Sequence, residues 1–257
     1  MPAQAIRAMV EAGQIGMSAP PQPDQIQPAS LDLRLCAMAW RVRASFLPGP
    51  SRAVEDRLDD YAMHRLDLTD GAVLEKGCVY LVPLVEHLAL PPEVSAVANA
   101  KSSTGRLDLF TRLIADGGTE FDRVPAGYAG PLYAEISPRS FSVLVRPGMR
   151  LNQIRFRAGS ARLDDAELEA LDRAERLVDG PAHISDGLAF SVDLRPAEGG
   201  IAGYRAKPHT GLIDLDCIGH YDPAEYWEPV HAQDGRIVLD PGAFYILVSR
   251  ESVHVPP

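Results

Sequence analysis

From about Gly71 to Phe156 the chain is written in short strand-like runs stopped by Gly or Pro, with few helical patterns between them. Cys78-Val79-Tyr80-Leu81-Val82, entered from Gly77, is one such run. Strands that succeed one another without crossover helices pair antiparallel, so this punctuation favours a sandwich or barrel over a βαβ sheet. An earlier run reads the same way. In Ser30-Leu31-Asp32-Leu33-Arg34-Leu35 the leucines alternate with polar residues, which predicts a strand with one buried face and with Asp32 and Arg34 sharing the other. Short helices are expected as well. Gln4 to Ile15 places Ile6, Met9 and Val10 on one face and ends beside Gly13 and Gly16, while Ser51 is placed to cap a helix through Val54, Leu58 and Tyr61. Asp164 to Leu177 is acidic and Ala-rich, carries Leu168, Leu171 and Leu177, and would terminate at Gly180.

Charge and cysteine usage narrow the function classes. A formal charge of -10 over 257 residues sets a field of the wrong sign for a nucleic-acid backbone, so no nucleic-acid partner is expected. Small anions stay open wherever cations cluster. Cys36, Cys78 and Cys217 are odd in number, isolated, and without metal-ligand spacing, which fits a reduced compartment and no protein-bound metal. The N-terminal residues carry no apolar signal core, and no apolar run approaches the roughly 20 residues that span a bilayer. The expectation is a cytoplasmic protein with no membrane partner.

The acidic helix divides the chain, its carboxylates reading as a solvated face, and the residues after it echo those before it. Ser191-Val192-Asp193-Leu194-Arg195 repeats the Ser30 to Arg34 pattern, and Gly77, Tyr80, Glu86, Pro91 and Pro92 are matched at nearly the same spacing by Gly242, Tyr245, Glu251, Pro256 and Pro257. This predicts a β domain over 1–160, a helical linker over 161–182 and a partial second copy over 183–257.

The segment Ala100-Lys101-Ser102-Ser103-Thr104-Gly105-Arg106 sets two cations and three hydroxyls around a turn that opens a short helix. Such groups bind phosphate: hydroxyls and N–H donors satisfy its oxygens while Lys and Arg neutralise its charge. Composition alone also fits a serine N-cap with surface cations behind it. No P-loop or Rossmann glycine pattern is present, nor the H-x-E and P-C-x-x-C signature of zinc deaminases.

Several motifs in series go further. Gln27-Pro28-Ala29-Ser30-Leu31-Asp32-Leu33-Arg34-Leu35, the Lys-Ser-Ser-x-Gly-Arg segment, Gly127-Tyr128-Ala129-Gly130 leading to Glu135, and Pro147-Gly148-Met149-Arg150-Leu151-Asn152-Gln153 together resemble the dCTP deaminase family of the dCTP deaminase and dUTPase superfamily. The resemblance covers roughly residues 1–157. It implies a distorted antiparallel β-barrel or jelly-roll-like dUTPase fold, and a homotrimer, or an assembly derived from one, with sites between subunits. The substrate it implies is a pyrimidine deoxynucleoside triphosphate, with Mg²⁺ carried by the nucleotide and no zinc.

By the same resemblance Glu135 is the catalytic base that activates water against C4 of cytosine, where otherwise it reads as an outward strand residue. Lys101, Ser102, Ser103 and Arg106 bind the triphosphate, Asp122 meets the deoxyribose with Glu120 as competitor, and Gln153 contacts the nucleotide. Main-chain groups at Tyr133 and Ala134 read the base edge, and Tyr128 packs either near the sugar or in the core. The family's Tyr- and Lys-rich phosphate lid has no counterpart after Gln153, and Lys207, in Tyr204-Arg205-Ala206-Lys207-Pro208-His209, is the nominated substitute. Deamination of dCTP to dUTP and ammonia is the leading expectation. A dUTP pyrophosphatase or bifunctional enzyme is the alternative, and a non-catalytic nucleotide-sensing module is the alternative of another class.

Overall fold

The computed structural model describes residues 1–159, 162–195 and 200–256. Met1–Gly159 and His209–Tyr221 form one compact unit, and the rest of the chain forms a second. The predicted linear division is therefore crossed once, by a segment from the second half that returns to the first unit.

The first unit opens with α1 (Ala3–Glu11), whose Ile6 and Met9 are buried. The helix is shorter than expected. Gly13 takes a left-handed φ of 71°, and Ile15 opens strand β1 (Ile15–Met17). Next come β2 (Leu31–Arg34) and β3 (Met38–Val42), then a 3-10 turn at Glu55–Arg57 that runs into α2 (Leu58–Tyr61). Ser51 does not cap this helical stretch: its φ is 61°, inside a turn, and the Asp116 carboxylate accepts from the Val54 N–H instead.

From there strands dominate, as expected: β4 (Ala62–Asp67), β5 (Ala72–Leu74), β6 (Val79–Ala89) and β7 (Val94–Ala100). Beyond the single-turn α3 (Ser102–Gly105) lie β8 (Leu109–Ala115), β9 (Arg123–Val124), β10 (Ala129–Pro138), β11 (Val143–Val145) and β12 (Arg150–Ala158). One sheet runs β4-β3-β6-β10-β8 with β1 also beside β6, and a second runs β2-β12-β7-β9. The chain continues through α4 (Asp165–Glu175) and β13 (Ile201–Ala206) to β14 (Ile213–Asp214), which joins β5 and β11 in a third sheet of the first unit. Every strand pair among the described residues is antiparallel except β11 with β14.

The second unit holds α4 and a sheet of β15 (Trp227–His231), β13 and β16 (Tyr245–Leu247), with the short α5 (Pro223–Tyr226) leading into β15. α4 starts at a capping box, Asp164 accepting from the Glu167 N–H while Glu167 accepts from the Asp164 N–H. It stops at Arg176, whose φ of 50° is left-handed, four residues before the Gly180 expected to end it. The residues that echo the first half make different contacts here. Glu251 accepts from Ser191, Arg195 pairs with Asp193, and Pro257 lies outside the described residues. Among the described residues no helix is long and apolar enough to cross a membrane.

β2 departs from the one-face reading, because all four of its residues are buried. Leu31 and Leu33 are fully enclosed, as the alternation requires. Asp32 and Arg34 are enclosed as well, which is tolerable only because each meets opposite charge. The Arg34 Nε donates to Glu86 on β6 at 2.7 Å, and the other Glu86 oxygen accepts from the Arg34 N–H at 2.7 Å. Gln25 donates to Glu86 at 2.7 Å, and the remaining Arg34 nitrogens reach the carbonyls of Ala19 and Pro20. Replacing Glu86 by Ala strands the Arg34 guanidinium, and unfolding by denaturant is expected to show a loss of about 3–5 kcal/mol. Replacing both Arg34 and Glu86 by apolar residues of similar volume should recover most of that loss.

Candidate active site

β10 is an interior strand, flanked by β6 and β8, and Glu135 sits near its middle opposite Leu81 on one side and Arg112 on the other. A glutamate in the centre of a sheet needs a partner, and the antiparallel register supplies one directly across the ladder. The Arg112 Nε donates to Glu135 Oε1 at 3.1 Å, and its Nη2 donates both to the same oxygen and to the Ser45 hydroxyl at 2.7 Å. The carboxylate side chain is 3% exposed. Arg112 is itself fixed by aromatic rings, its guanidinium carbon 3.5 Å from the Phe121 centroid and 4.9 Å from that of Phe110. Phe121 in turn packs on a core cluster of Val42, Phe46, Val54, Leu81, Ile114 and Tyr133. The catalytic candidate is thus tied to the apolar core through one arginine and one phenylalanine.

Asp122 belongs to the same cluster. Its Oδ1 accepts from the Leu113 N–H at 2.7 Å, and its φ of 61° is a left-handed conformation that aspartate accepts better than most residues. Burial pushes its carboxyl above the usual range, the Leu113 N–H and Arg112 oppose that, and the Glu135 charge adds to it. Glu120 is elsewhere, exposed and paired with Arg123 at 2.7 Å.

The Gly127 to Gly130 turn leads into β10 and is built around Tyr128. The buried Tyr128 hydroxyl donates to the Pro131 carbonyl at 2.6 Å and accepts from the Asp116 N–H at 3.1 Å, and burial raises its pKa to about 12. A Cβ on Gly130 would lie 2.6 Å from that hydroxyl, so the second glycine is a packing requirement of the tyrosine. Tyr128 is therefore a brace within its own turn. Tyr133 sends its ring into the core cluster, with its hydroxyl 3.4 Å from Glu55, and both that ring's burial and Glu55 raise its pKa. Tyr133 and Ala134 have ladder partners on both sides, just beyond a register shift between Pro131 and Tyr133.

A second cluster forms where β7 ends on α3. The Lys101 N–H donates to the Leu151 carbonyl of β12 at 2.9 Å, and its ammonium reaches the Asp32 carboxylate of β2. Gln153 is the cross-strand partner of Asp32 and accepts from the Ser30 hydroxyl at 3.2 Å. Lys101, Ser103, Thr104 and Arg150 share the lining of a cleft of about 640 Å³. Ser102, on α3, and Arg106, at its C-terminal cap, are exposed. Lys207 lies in the second unit, where its ammonium donates to the Ala224 carbonyl at 2.6 Å.

The structure therefore places Glu135 on β10 of one sheet, within electrostatic reach of Asp122 in the turn before β9 of the other, and gathers Lys101 and Gln153 around Asp32 on that second sheet. Arg112 is the residue that sequence reasoning missed at the first cluster, and Asp32 and Arg150 at the second. Asp32 and Arg150 were in view inside quoted motifs. Arg112 had no local signal, since only the β8–β10 register places it beside Glu135. Among the described residues no three His, Cys, Asp or Glu side chains are grouped to hold a metal ion.

Comparison with known proteins identifies the family. Residues 1–160 match the model of the 2'-deoxycytidine 5'-triphosphate deaminase (DCD) N-terminal domain, and residues 164–257 that of the DCD C-terminal domain. A dCTP deaminase of Halorubrum lacusprofundi is 30% identical over 51% of this chain and 63% of its own length. One of Haloarcula marismortui is 30% identical over 57% of this chain and 74% of its own. A dUMP-forming dCTP deaminase of Sulfurihydrogenibium is 31% identical over 55% and 72%. The crystal structure of 2'-deoxycytidine 5'-triphosphate deaminase from Agrobacterium tumefaciens superposes with a TM-score of 0.96 at 52% identity, covering 100% of this chain and 78% of that one. With both domain models matched in order and the fold shared over its whole length, the chain belongs to the 2'-deoxycytidine 5'-triphosphate deaminase family.

Proposed function

We propose that the chain deaminates dCTP hydrolytically, with Glu135 as the base. The observation that carries this is the Glu135 carboxylate itself, enclosed in the middle of a sheet and held on one oxygen by Arg112. Arg112 makes both its bonds to Oε1, so Oε2 is the oxygen assigned to the attacking water. Glu135 takes a proton from that water as the oxygen bonds to C4 of the cytosine ring. It then returns the proton to the departing amine, so that water and dCTP become dUTP and ammonia. Lys101, Ser102, Ser103 and Arg106 carry the triphosphate, with Mg²⁺ entering as part of the substrate. Asp122 takes the sugar hydroxyl, Gln153 a further nucleotide contact, and the main chain at Tyr133 and Ala134 the base edge. Since Glu135 stands on one sheet and Lys101 and Gln153 are held at the other, the proposal includes a homo-oligomer in which neighbouring copies complete each other's sites. Lys207 stays the candidate lid residue.

A second reading is favoured by one specific feature. Asp122 holds a carboxylate beside Glu135 that could orient a second water toward the α-phosphorus, and one of the similar proteins carries a dUMP-forming name. Purified protein incubated with dCTP and Mg²⁺ is expected to release ammonia and dUTP, and Glu135→Gln to lower that rate by about 10²–10⁴-fold while nucleotide still binds. Appearance of dUMP and pyrophosphate would assign both reactions to the chain. Binding without turnover would make it a nucleotide sensor.

Asp122 also gives a pH test. Its folded pKa is raised, so its contribution to stability is present at low pH and is lost as pH rises through the folded value. Asp122→Asn removes the charge at every pH. Relative to the unmodified chain it should gain stability near pH 7, with the gain shrinking toward pH 4, in thermal melts across that range. A difference that does not change with pH would show that the carboxylate is not strained by its burial.

A further inference from the structure

The cleft beside α3 holds more cationic chemistry than the Lys-Ser-Ser-x-Gly-Arg segment supplies. Asp32 is 1% exposed and meets two cations, the Lys101 ammonium and the Arg150 guanidinium at 3.8 Å, whose side chains stay 25% and 29% exposed. Two positive groups on one buried carboxylate leave that trio with one positive charge unanswered. The arrangement is also short of hydrogen bonds: Asp32 Oδ1 and both polar atoms of the buried Asn152 amide have no partner among the described residues. Of the five donors on Arg150, the hydrogen bond made among those residues is one from Nη1 to the Pro23 carbonyl at 3.3 Å.

Arg146 lines the same cleft but is already engaged. It clamps Asp214 at 2.7 and 2.9 Å and Asp216 at 2.8 Å, holding the Asp214 carboxyl down at about 2. Arg34 lies directly across the ladder from Arg150, and its charge is answered by Glu86. Arg150 is therefore the guanidinium at this cleft with donors to offer an incoming anion.

We propose that Arg150 is a phosphate-binding residue, set beside Lys101 by the carboxylate that both share, so that Asp32 acts as a positioning residue for a two-cation site. The ligand class is a polyphosphate. A planar guanidinium can take two phosphate oxygens at once while the ammonium takes a third, which suits a triphosphate better than a single phosphate. The inference deepens the triphosphate site proposed above and rests on it for the nucleotide, though not for the anion.

The test uses the full chain and inorganic tripolyphosphate as the probe, with binding measured by calorimetry. Arg150→Gln is expected to weaken tripolyphosphate about tenfold or more and to raise the KM for dCTP in parallel, while deoxycytidine, which lacks phosphate, keeps its affinity within about twofold. Arg150→Lys keeps the charge without the fork and should fall between. Unchanged tripolyphosphate affinity in a variant that melts as the unmodified chain does would overturn the inference, as would an equal loss for deoxycytidine. If Arg150→Gln does not fold, Arg150→Lys decides: a loss confined to tripolyphosphate and dCTP supports the site, and none overturns it. A chain that binds tripolyphosphate through Arg150 but releases no ammonia from dCTP would keep this inference and sink the proposed activity. A chain that deaminates dCTP with no dependence on Arg150 would do the reverse.

Discussion

The buried contact between Arg34 and Glu86 is the constraint on which the first unit depends. It joins β2 of one sheet to β6 of the other, and Gln25 and the carbonyls of Ala19 and Pro20 close around it. An ion pair this dry adds little net stability over an apolar replacement. Its effect is on register. A one-residue slip of β2 would bury Leu33 where Arg34 now stands and leave Glu86 facing hydrocarbon, so the pair selects one alignment of β2 against β6. That alignment also sets Asp32 opposite Gln153 on β12, which is where the cationic cleft is assembled.

The other cluster is held by a different kind of restraint. Phe121 belongs to the apolar core on one side and to the Arg112 guanidinium on the other, and Arg112 fixes Glu135. Packing, which is stiff, is passed through a stacked cation to a carboxylate that must hold one orientation. Side chains on the middle of paired strands suit this task, because the backbone is locked by ladders on both sides of β10. The Gly127 to Gly130 turn completes the frame, with the Tyr128 hydroxyl bonded into the turn and Gly130 leaving the room it needs.

Much of this architecture was legible in the sequence. Strand-length runs and Gly or Pro stops indicated an antiparallel β protein, and the motif series pointed to Glu135, Lys101 and their neighbours. The illegible parts share a cause. The alternation in Leu31 to Arg34 was real, yet it could not reveal that the polar face is buried too, because the compensating Glu86 lies 52 residues away in sequence. Arg112 was invisible for the same reason: nothing within β8 marks it until β10 is laid beside it in register. Helix ends failed locally instead. Ser51 and Gly180 have the right chemistry for caps, but Asp116 and the left-handed Arg176 take those roles, and an arginine in that conformation has no composition signal.

The path of the chain explains why the first unit cannot be read as a linear block. After β12 the chain leaves for α4 and β13, and then His209–Tyr221 returns to lay β14 in parallel against β11. This short pairing is reinforced by charge, since Arg146 at the end of β11 holds both Asp214 and Asp216, and by the Tyr221 hydroxyl, which accepts from the Asp214 N–H at 2.6 Å. The returning segment also lines the cleft that carries Lys101 and Arg150. Were the chain to end after β12, Val143 and Leu144 would keep β5 but lose β14, and Arg146 would lose its two carboxylates, leaving a third cation at the cleft unanswered. The second half thus contributes to the first unit's cationic cleft in two ways: it covers an exposed strand edge, and it confines the open positive charge to Lys101 and Arg150, the pair anchored by Asp32.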